Sequence, residues 1–385
     1  MRIAILGAGL LVVGGLALLT GVLPVDDALA VADRVWPILL FAVAITVVAE
    51  LAAEAGVFTA LAERLARLGL GRAWLLWLLI VVLAVASTVF LSLDTTAVLL
   101  TPVVVLVARH HGLPPLPFAL TTVWLANTAS LLLPVSNLTN LLALEPLGHP
   151  DPGTFAALML APAAVAVIVP CVAIAVVARR ALGTRYAAAP VEPVADRVLF
   201  VLASGVLVVL LPLLVSGMPV WLPACVAAVA LAAAFAVRRR TALRLGLVPW
   251  GIVVFASGLF LVVEAAHSVG LTAVLALVAG SGDDPLALLQ VAFAGLLGAN
   301  AIDNLPAYLA LEPVAASPAR IAALLVGVNA GPLITPWASL AVLLWHRRLV
   351  ALGVELSWSR YVLLGIVVAP VTVALATLAL AAATG

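Results

Sequence analysis

Runs of about 20 apolar residues, the length of helix that crosses a hydrocarbon core, recur along this chain with polar residues gathered between them. They predict membrane-spanning helices near residues 3–23, 36–58, 118–144, 154–178, 198–215, 220–237, 249–275, 320–345 and 361–383. Two further stretches, 74–109 and 286–316, are apolar but each is interrupted at one point by an Asp, Asp94 and Asp303. They read as hairpins that enter and leave on one side. The predicted fold class is an all-α polytopic membrane protein with about nine full spans, two re-entrant hairpins and two broken helices.

The polar residues inside these runs form an internal repeat. In the first half Glu50 and Gly56 are followed by Asp94, then by Asn127 and Pro134 in NTASLLLP, then by Ser136 and Asn137. In the second half Glu264 and Gly270 are followed by Asp303, then by Asn329 and Pro336 in NAGPLITP, then by Ser339. The order is Glu-x5-Gly, Asp, Asn-x6-Pro, Ser, twice. Charges flanking matching elements change sign: Arg64, Arg67 and Arg72 follow the Glu50 span, whereas Asp283 and Asp284 follow the Glu264 span. The repeats are therefore read as inverted in the membrane, residues 1–178 and 198–385, joined by a cytoplasmic linker at 179–197. Inverted repeats with interrupted helices are an architecture of secondary transporters, with substrate and ion sites near the midplane.

Composition agrees. Of 385 residues 66% are hydrophobic and 9% charged, and mean hydropathy is +1.33, far from soluble-domain usage. All 18 basic residues are Arg, and with 17 acids the formal charge is +1, so no basic surface for nucleic acid exists. Orientation follows from the basic excess of cytoplasmic loops. With the N-terminus cytoplasmic, 16 Arg fall inside and only Arg34 and Arg320 outside, while Asp26, Asp27, Asp33, Glu145, Asp151, Asp283, Asp284 and Glu312 collect outside with the C-terminus. Arg2, the following apolar run and Ala28–Ala30 resemble a secretory signal. The run is too long for one, and Asp26 and Asp27 before the supposed cleavage site read better as an outer loop.

Acids in the bilayer interior are costly and default to a functional role. Asp94, with Thr95 and Thr96 beside it, reads as a helix N-cap, and Asp303, with Asn304 and Pro306, as a helix start. Each either caps a hairpin tip or binds a proton or cation there, and the two roles are compatible. Pro134, Ser136 and Asn137 break one helix; Gly331, Pro332, Thr335, Pro336 and Ser339 break another. Such breaks are tolerated where they line a cavity. Glu50 and Glu264 are placed deep in their spans, either as proton relays or as scaffold pairs, and His267 as a hydrogen-bonded helix-end residue rather than a partner of Glu264. Trp36, Trp74, Trp221, Trp250 and Trp358 suit the interfacial belts. Cys171 and Cys225 lie in apolar runs, so neither a disulfide framework nor a CxxC metal site is expected. No HExxH, GxSxG or P-loop occurs, and without Lys there is no Walker lysine, so neither an enzyme nor ATP-driven transport by this chain alone is expected.

The stretches LDTTAVLLTP (93–102), LPVSNLTNLL (133–142), DNLPAYL (303–309) and GPLITPWASLAVLLW (331–345) resemble the arsenite and antimonite permease family of the ion transporter superfamily, to which dicarboxylate and citrate carriers and sodium/proton antiporters also belong. The resemblance extends over nearly the whole chain. It implies a scaffold domain, a transport domain and a site between two hairpin tips and two broken helices, carried here by Asp94, Thr95, Ser136, Asn137, Asn304 and Thr335. It also implies a homodimer for many members and a soluble ATPase partner for some. The chain departs from the family at Leu93 and Thr95, where arsenite permeases usually have Asn and Gly around the Asp, at Asp303, where Asn is usual, and at Leu333.

The expected function is proton-coupled efflux of arsenite, antimonite or a related small inorganic solute across the inner membrane, with no cofactor beyond a proton or sodium gradient. The residues expected to bind are Asp94, Thr95, Thr96, Asn127, Ser136, Asn137, Asp303, Asn304, Asn329, Thr335 and Ser339. Two Asp with no Arg close in sequence disfavour a dicarboxylate. Sodium/proton antiport, organic carboxylate transport and a passive channel are the alternatives.

Overall fold

The computed structural model describes residues 2–187 and 195–384, with side chains from residue 4 onward; positions 188–194 of the expected linker lie outside the described residues. Helices occupy almost all of it. The first half contains α1 (Arg2–Leu19), α2 (Val25–Glu54), α3 (Val57–Leu68), α4 (Ala73–Leu91), α5 (Leu93–Thr95), α6 (Thr101–His110), α7 (Leu116–Thr128), α8 (Leu138–Ala143), α9 (Pro152–Val177) and α10 (Arg179–Leu182). The second contains α11 (Arg197–Leu214), α12 (Trp221–Arg238), α13 (Trp250–Ser268), α14 (Leu271–Ala279), α15 (Pro285–Ile302), α16 (Asn304–Leu311), α17 (Pro318–Ala330), α18 (Leu340–Ala351) and α19 (Trp358–Thr384).

Polar contacts at the helix ends sort these elements onto two faces. On one, Ala73 N–H donates to the Thr184 carbonyl, Arg109 to the carbonyls of Leu352 and Gly353, Arg238 to Asp196, and Arg239 pairs with Glu54. Arg238 and two N–H groups at the start of α11 hold the Asp196 carboxyl below the usual carboxylate range. On the other face, Ser268 donates to the Val22 carbonyl, Arg34 binds Glu145, Glu312 and the Leu142 carbonyl, and Arg320 caps the carbonyls of Ala279, Gly280 and Gly282. The first hairpin, α4 to α6, thus begins and ends on the arginine-rich face, and the second, α15 to α16, begins and ends on the opposite one. Among the described residues nine elements cross between the faces: α1, α2, α7 with α8, α9, α11, α12, α13, α17 with α18, and α19. Nine described helices are also long and apolar enough to cross a membrane, but that set counts hairpin legs and omits α1 and both broken elements. Length and hydropathy do not separate a hairpin leg from a span.

The packing maps onto itself when the halves are exchanged. Helix α1 packs on α13 and α2 on α12, α4 on α7 and α15 on α17, α7 on α9 and α17 on α19, while α9 packs on α19. The Glu-x5-Gly elements match as well: α2 and α13 each end just before a left-handed glycine, Gly56 with φ +82° and Gly270 with φ +103°, and a short helix follows. Small residues let backbones approach, as is usual between membrane helices. A Cβ at Gly258 would meet the α1 backbone at Leu11, and one at Gly365 would collide with the Leu333 carbonyl in the second break.

Two expected spans differ. The 36–58 span begins at Val25, because Pro24 precedes a first turn that carries Asp26 and Asp27, where the helix dipole favours acids; these acids are helical, not loop. The 249–275 span is two helices, since Gly270 supplies the positive φ that turns α13 into α14. Replacing Gly365 by Ala is expected to lower stability by about 1–3 kcal/mol, whereas Gly205→Ala, where a Cβ meets open space, is expected to leave it within about 0.5 kcal/mol. Thermal unfolding of the two variants in detergent checks this.

Candidate functional site

Each hairpin turns through a strained, half-buried residue. Ser92 has φ +90° and ψ 161°, and Asp303 has φ +100° and ψ 154°. This region is almost exclusive to glycine and costs about 1–3 kcal/mol for other residues. The structural counterpart of Asp303 is therefore Ser92, not Asp94. Asp303 caps α16 by accepting from Leu305 N–H at 3.2 Å, as expected of a helix start. Asp94 does not cap: it lies in the first turn after Ser92, and its Oδ1 is buried without a hydrogen-bond partner. Thr95 donates to the Leu91 carbonyl, and the Thr96 hydroxyl joins Thr88 and Ser87 at 2.9 Å each, so both threonines close the hairpin legs on each other. A π-helical turn, Thr96–Leu100, precedes Pro102, whose missing N–H interrupts the ladder.

The tips meet the breaks. Ser136 donates to the Val89 carbonyl of α4 at 2.9 Å, and Thr335 donates to the Asn300 carbonyl of α15 at 2.8 Å, each three residues before its strained tip residue. Asn300, absent from the sequence expectation, also accepts from Ile334 and Thr335 N–H at 3.2 and 3.0 Å and donates to the Gly331 carbonyl at 2.8 Å. It carries the backbone groups that the second break frees. Past the breaks, Asn137 caps α8 (φ −152°, ψ 148°) and Ser339 caps α18 (φ −149°, ψ 151°), so Asn137 rather than Ser136 is the counterpart of Ser339. Hairpin and break join halfway along elements that cross between the faces, which puts the tips near mid-depth.

The two breaks are joined by amides. Asn329 Oδ1 accepts from Asn137 Nδ2 at 2.9 Å and from the Thr139 hydroxyl at 2.8 Å, and its Nδ2 donates to Asn140 Oδ1 at 2.8 Å. Asn140, also unexpected from sequence, donates to the carbonyls of Ser130 and Leu133 in the first break. The symmetry fails at Asn127. The repeat places Ala341 and Val342 where Thr139 and Asn140 stand, so Asn127 bonds only within its own helix, to Val123, and its Oδ1 is left buried and unpartnered beside the equally unpartnered Thr128 hydroxyl. Asn304 is buried at the second tip. A cavity of about 30 Å³, room for a water-sized occupant, lies between Thr46 of α2, Pro249 and Ile252 at the start of α13, and Ser92, Asp94 and Asn137.

The profile of the citrate transporter family matches residues 2–343, nearly the whole chain. This chain belongs to that family. Similar curated proteins are the arsenical pump membrane protein of Yersinia enterocolitica, 33% identical over 393 residues covering 95% of this chain and 91% of that protein, and those of Escherichia coli K12 and Shigella flexneri, each 32% identical with the same coverage. The protein is an integral membrane transporter and not an enzyme.

In this transporter the two glutamates lie outside the site. Glu50 is one turn from the end of α2, near Arg244 and Arg348, and Glu264 is one turn from the end of α13, near Glu312. Neither is deep in its span, as the sequence had suggested; they mark equivalent ends of matching helices on opposite faces. His267 Nε2 donates to the Leu309 carbonyl at 3.2 Å while Nδ1 faces the Thr272 hydroxyl at 2.8 Å, so it ties three helices together and shares no proton with Glu264. Trp74 and Trp250 are exposed at helix ends, whereas Trp36, also exposed, lies three turns inside α2 because that helix begins at Val25. Asn329→Ala strands Asn137, Thr139 and Asn140 in the first break and is expected to cost about 2–5 kcal/mol. Asn127→Ala is expected to cost under about 1 kcal/mol, and unfolding of the two variants in micelles measures the difference.

Proposed function

We propose that this transporter exports the neutral hydroxide of trivalent arsenic or antimony in exchange for protons. The observation that carries the reading is Asp94 Oδ1, buried without a partner beside the small cavity it shares with Asn137. An uncompensated carboxylate in the membrane interior is costly, and a proton taken up from the outside removes that cost. A neutral triol needs hydrogen-bonding groups rather than a counter-charge. Asn137, Asn304, Thr335 and the orphaned Asn127 and Thr128 oxygens are such groups.

Two observations weigh against the anion in the family's name. Asp303 lies within electrostatic reach of Asp94, and no arginine lines the cavity among the described residues, so a carboxylate substrate would meet like charge. Sodium/proton antiport is the second reading, because the same carboxylates with carbonyls at the tips and breaks would also suit a small cation. The arginine-rich face is taken as cytoplasmic, since cytoplasmic loops carry the basic excess. A homodimer and a soluble ATPase partner are proposals on the strength of the family resemblance.

The test is arsenite uptake into everted vesicles with and without an imposed pH gradient. Wild type is expected to accumulate arsenite only with the gradient, and Asp94→Asn to lose at least about tenfold of the rate, equivalent to 1.4 kcal/mol, while still folding. No uptake by folded wild type overturns the substrate. Uptake indifferent to an uncoupler makes the protein a channel, and gradient dissipation by sodium without arsenite makes it an antiporter.

A further inference from the structure

On the arginine-rich face a slot of about 260 Å³ lies where α7 begins, α9 gives way to α10, and α19 begins. Its sides are apolar. Leu120 stands one turn into α7, Ile174 one turn before the end of α9, and Leu364 in the second turn of α19, while the buried Trp124, two turns into α7, lines its deep end. Two exposed arginines complete the lining at the level of the helix ends: Arg180 in α10, three residues past α9, and Arg360, the third residue of α19. No acid lines the slot among the described residues. Arg109, Arg238 and Arg239 on the same face are tied to carbonyls or carboxylates. The guanidinium groups of Arg180 and Arg360 meet neither among the described residues. The slot is also open to the side: Val177 in its wall is exposed, and the stripe of α19 that starts at Leu364 continues through the exposed Val367, Val371 and Leu375 on the same helix face. In a membrane that stripe lies against lipid.

We propose that this slot holds an anionic phospholipid of the leaflet on the arginine-rich face, with its phosphate between Arg180 and Arg360 and an acyl chain along Leu120, Ile174 and Leu364. An interfacial arginine by itself reports only topology. Two of them from different helices, set above an apolar slot one to two turns deep, repeat the layout of a headgroup above its chain. The planar guanidinium suits a phosphate, whose oxygens it can bind in pairs. An acyl chain that enters the slot exchanges one apolar surrounding for another, so selectivity rests on the charge of the headgroup. A soluble phosphate would use the arginines and leave the apolar walls without a role. Arg180 belongs to the turn that leaves the first repeat and Arg360 to the last helix of the second. The lipid therefore ties the two halves together at the membrane surface, as Asn329 does at mid-depth.

The test strips full-length protein of lipid in a mild detergent, titrates it with phosphatidylglycerol or with phosphatidylethanolamine of the same chains, and counts retained lipid by native mass spectrometry. One phosphatidylglycerol is expected to be held at least about tenfold more tightly than the zwitterionic lipid. Joint replacement Arg180→Ala and Arg360→Ala is expected to abolish that preference, and Val177→Trp, which fills the slot with both charges in place, to weaken the binding. Arg64→Ala with Arg67→Ala removes the same charge from α3 and is expected to change nothing. All five positions are exposed, so the variants keep the fold. A preference that survives without Arg180 and Arg360, or that falls equally without Arg64 and Arg67, overturns the site. Glycerol phosphate competing as well as the lipid itself makes this an ion site and overturns the lipid. None of these readouts depends on arsenite or proton transport.

Discussion

Backbone polar groups in the membrane interior must find partners within the protein, and this constraint shapes everything around the two hairpin tips. A continuous helix satisfies itself; a break or a tip does not, and each unmet group costs several kcal/mol in hydrocarbon. The chain carries two breaks and two tips at mid-depth. It holds them with buried amides and hydroxyls: Ser136 and Thr335 bind carbonyls of the hairpins, Asn300 takes two N–H groups of the second break, and Asn140 takes two carbonyls of the first. The first break is thereby enclosed by protein, whereas the second tip and break leave Ile302 and Trp337 exposed.

The same network makes the two halves one unit. Asn329 belongs to the second half and binds Asn137, Thr139 and Asn140 of the first, so neither break can rearrange alone. The reciprocal contacts of Asn127 are absent because Ala341 and Val342 offer no polar side chain. Inverted symmetry gives the scaffold, and its failure at Asn127, Thr128 and Asp94 leaves unpartnered oxygens in the interior. A site that binds and releases a solute needs such unspent capacity, whereas a fully satisfied network only rigidifies.

Charge at the two faces follows the same logic. Arg34 gathers Glu145, Glu312 and the end of α8, tying α2 to one broken helix and one hairpin, and Arg109 fastens the other hairpin to the loop after α18. Arginine suits these positions because its planar fork reaches several oxygens at once. A chain that uses arginine alone for positive charge has thereby placed clamps at both faces of the protein.

Apolar run length, the order of Glu, Gly, Asp, Asn, Pro and Ser, and the sign of flanking charges determined by themselves the helical membrane fold, the crossing count, both hairpins and both breaks. These are local or periodic properties that the bilayer imposes on any sequence. Which residues meet was decided by tertiary structure. The strained turn at Ser92 rather than Asp94, the pairing of Asn137 with Ser339, the shallow positions of Glu50 and Glu264, and the roles of Asn140 and Asn300 all depend on backbone dihedrals and on contacts between distant segments. Arg180 and Arg360 are 180 residues apart in sequence, and no spacing rule joins them. Only the packing of α9 against α19 does so, because a slot between helices belongs to their packing and leaves no period in the chain.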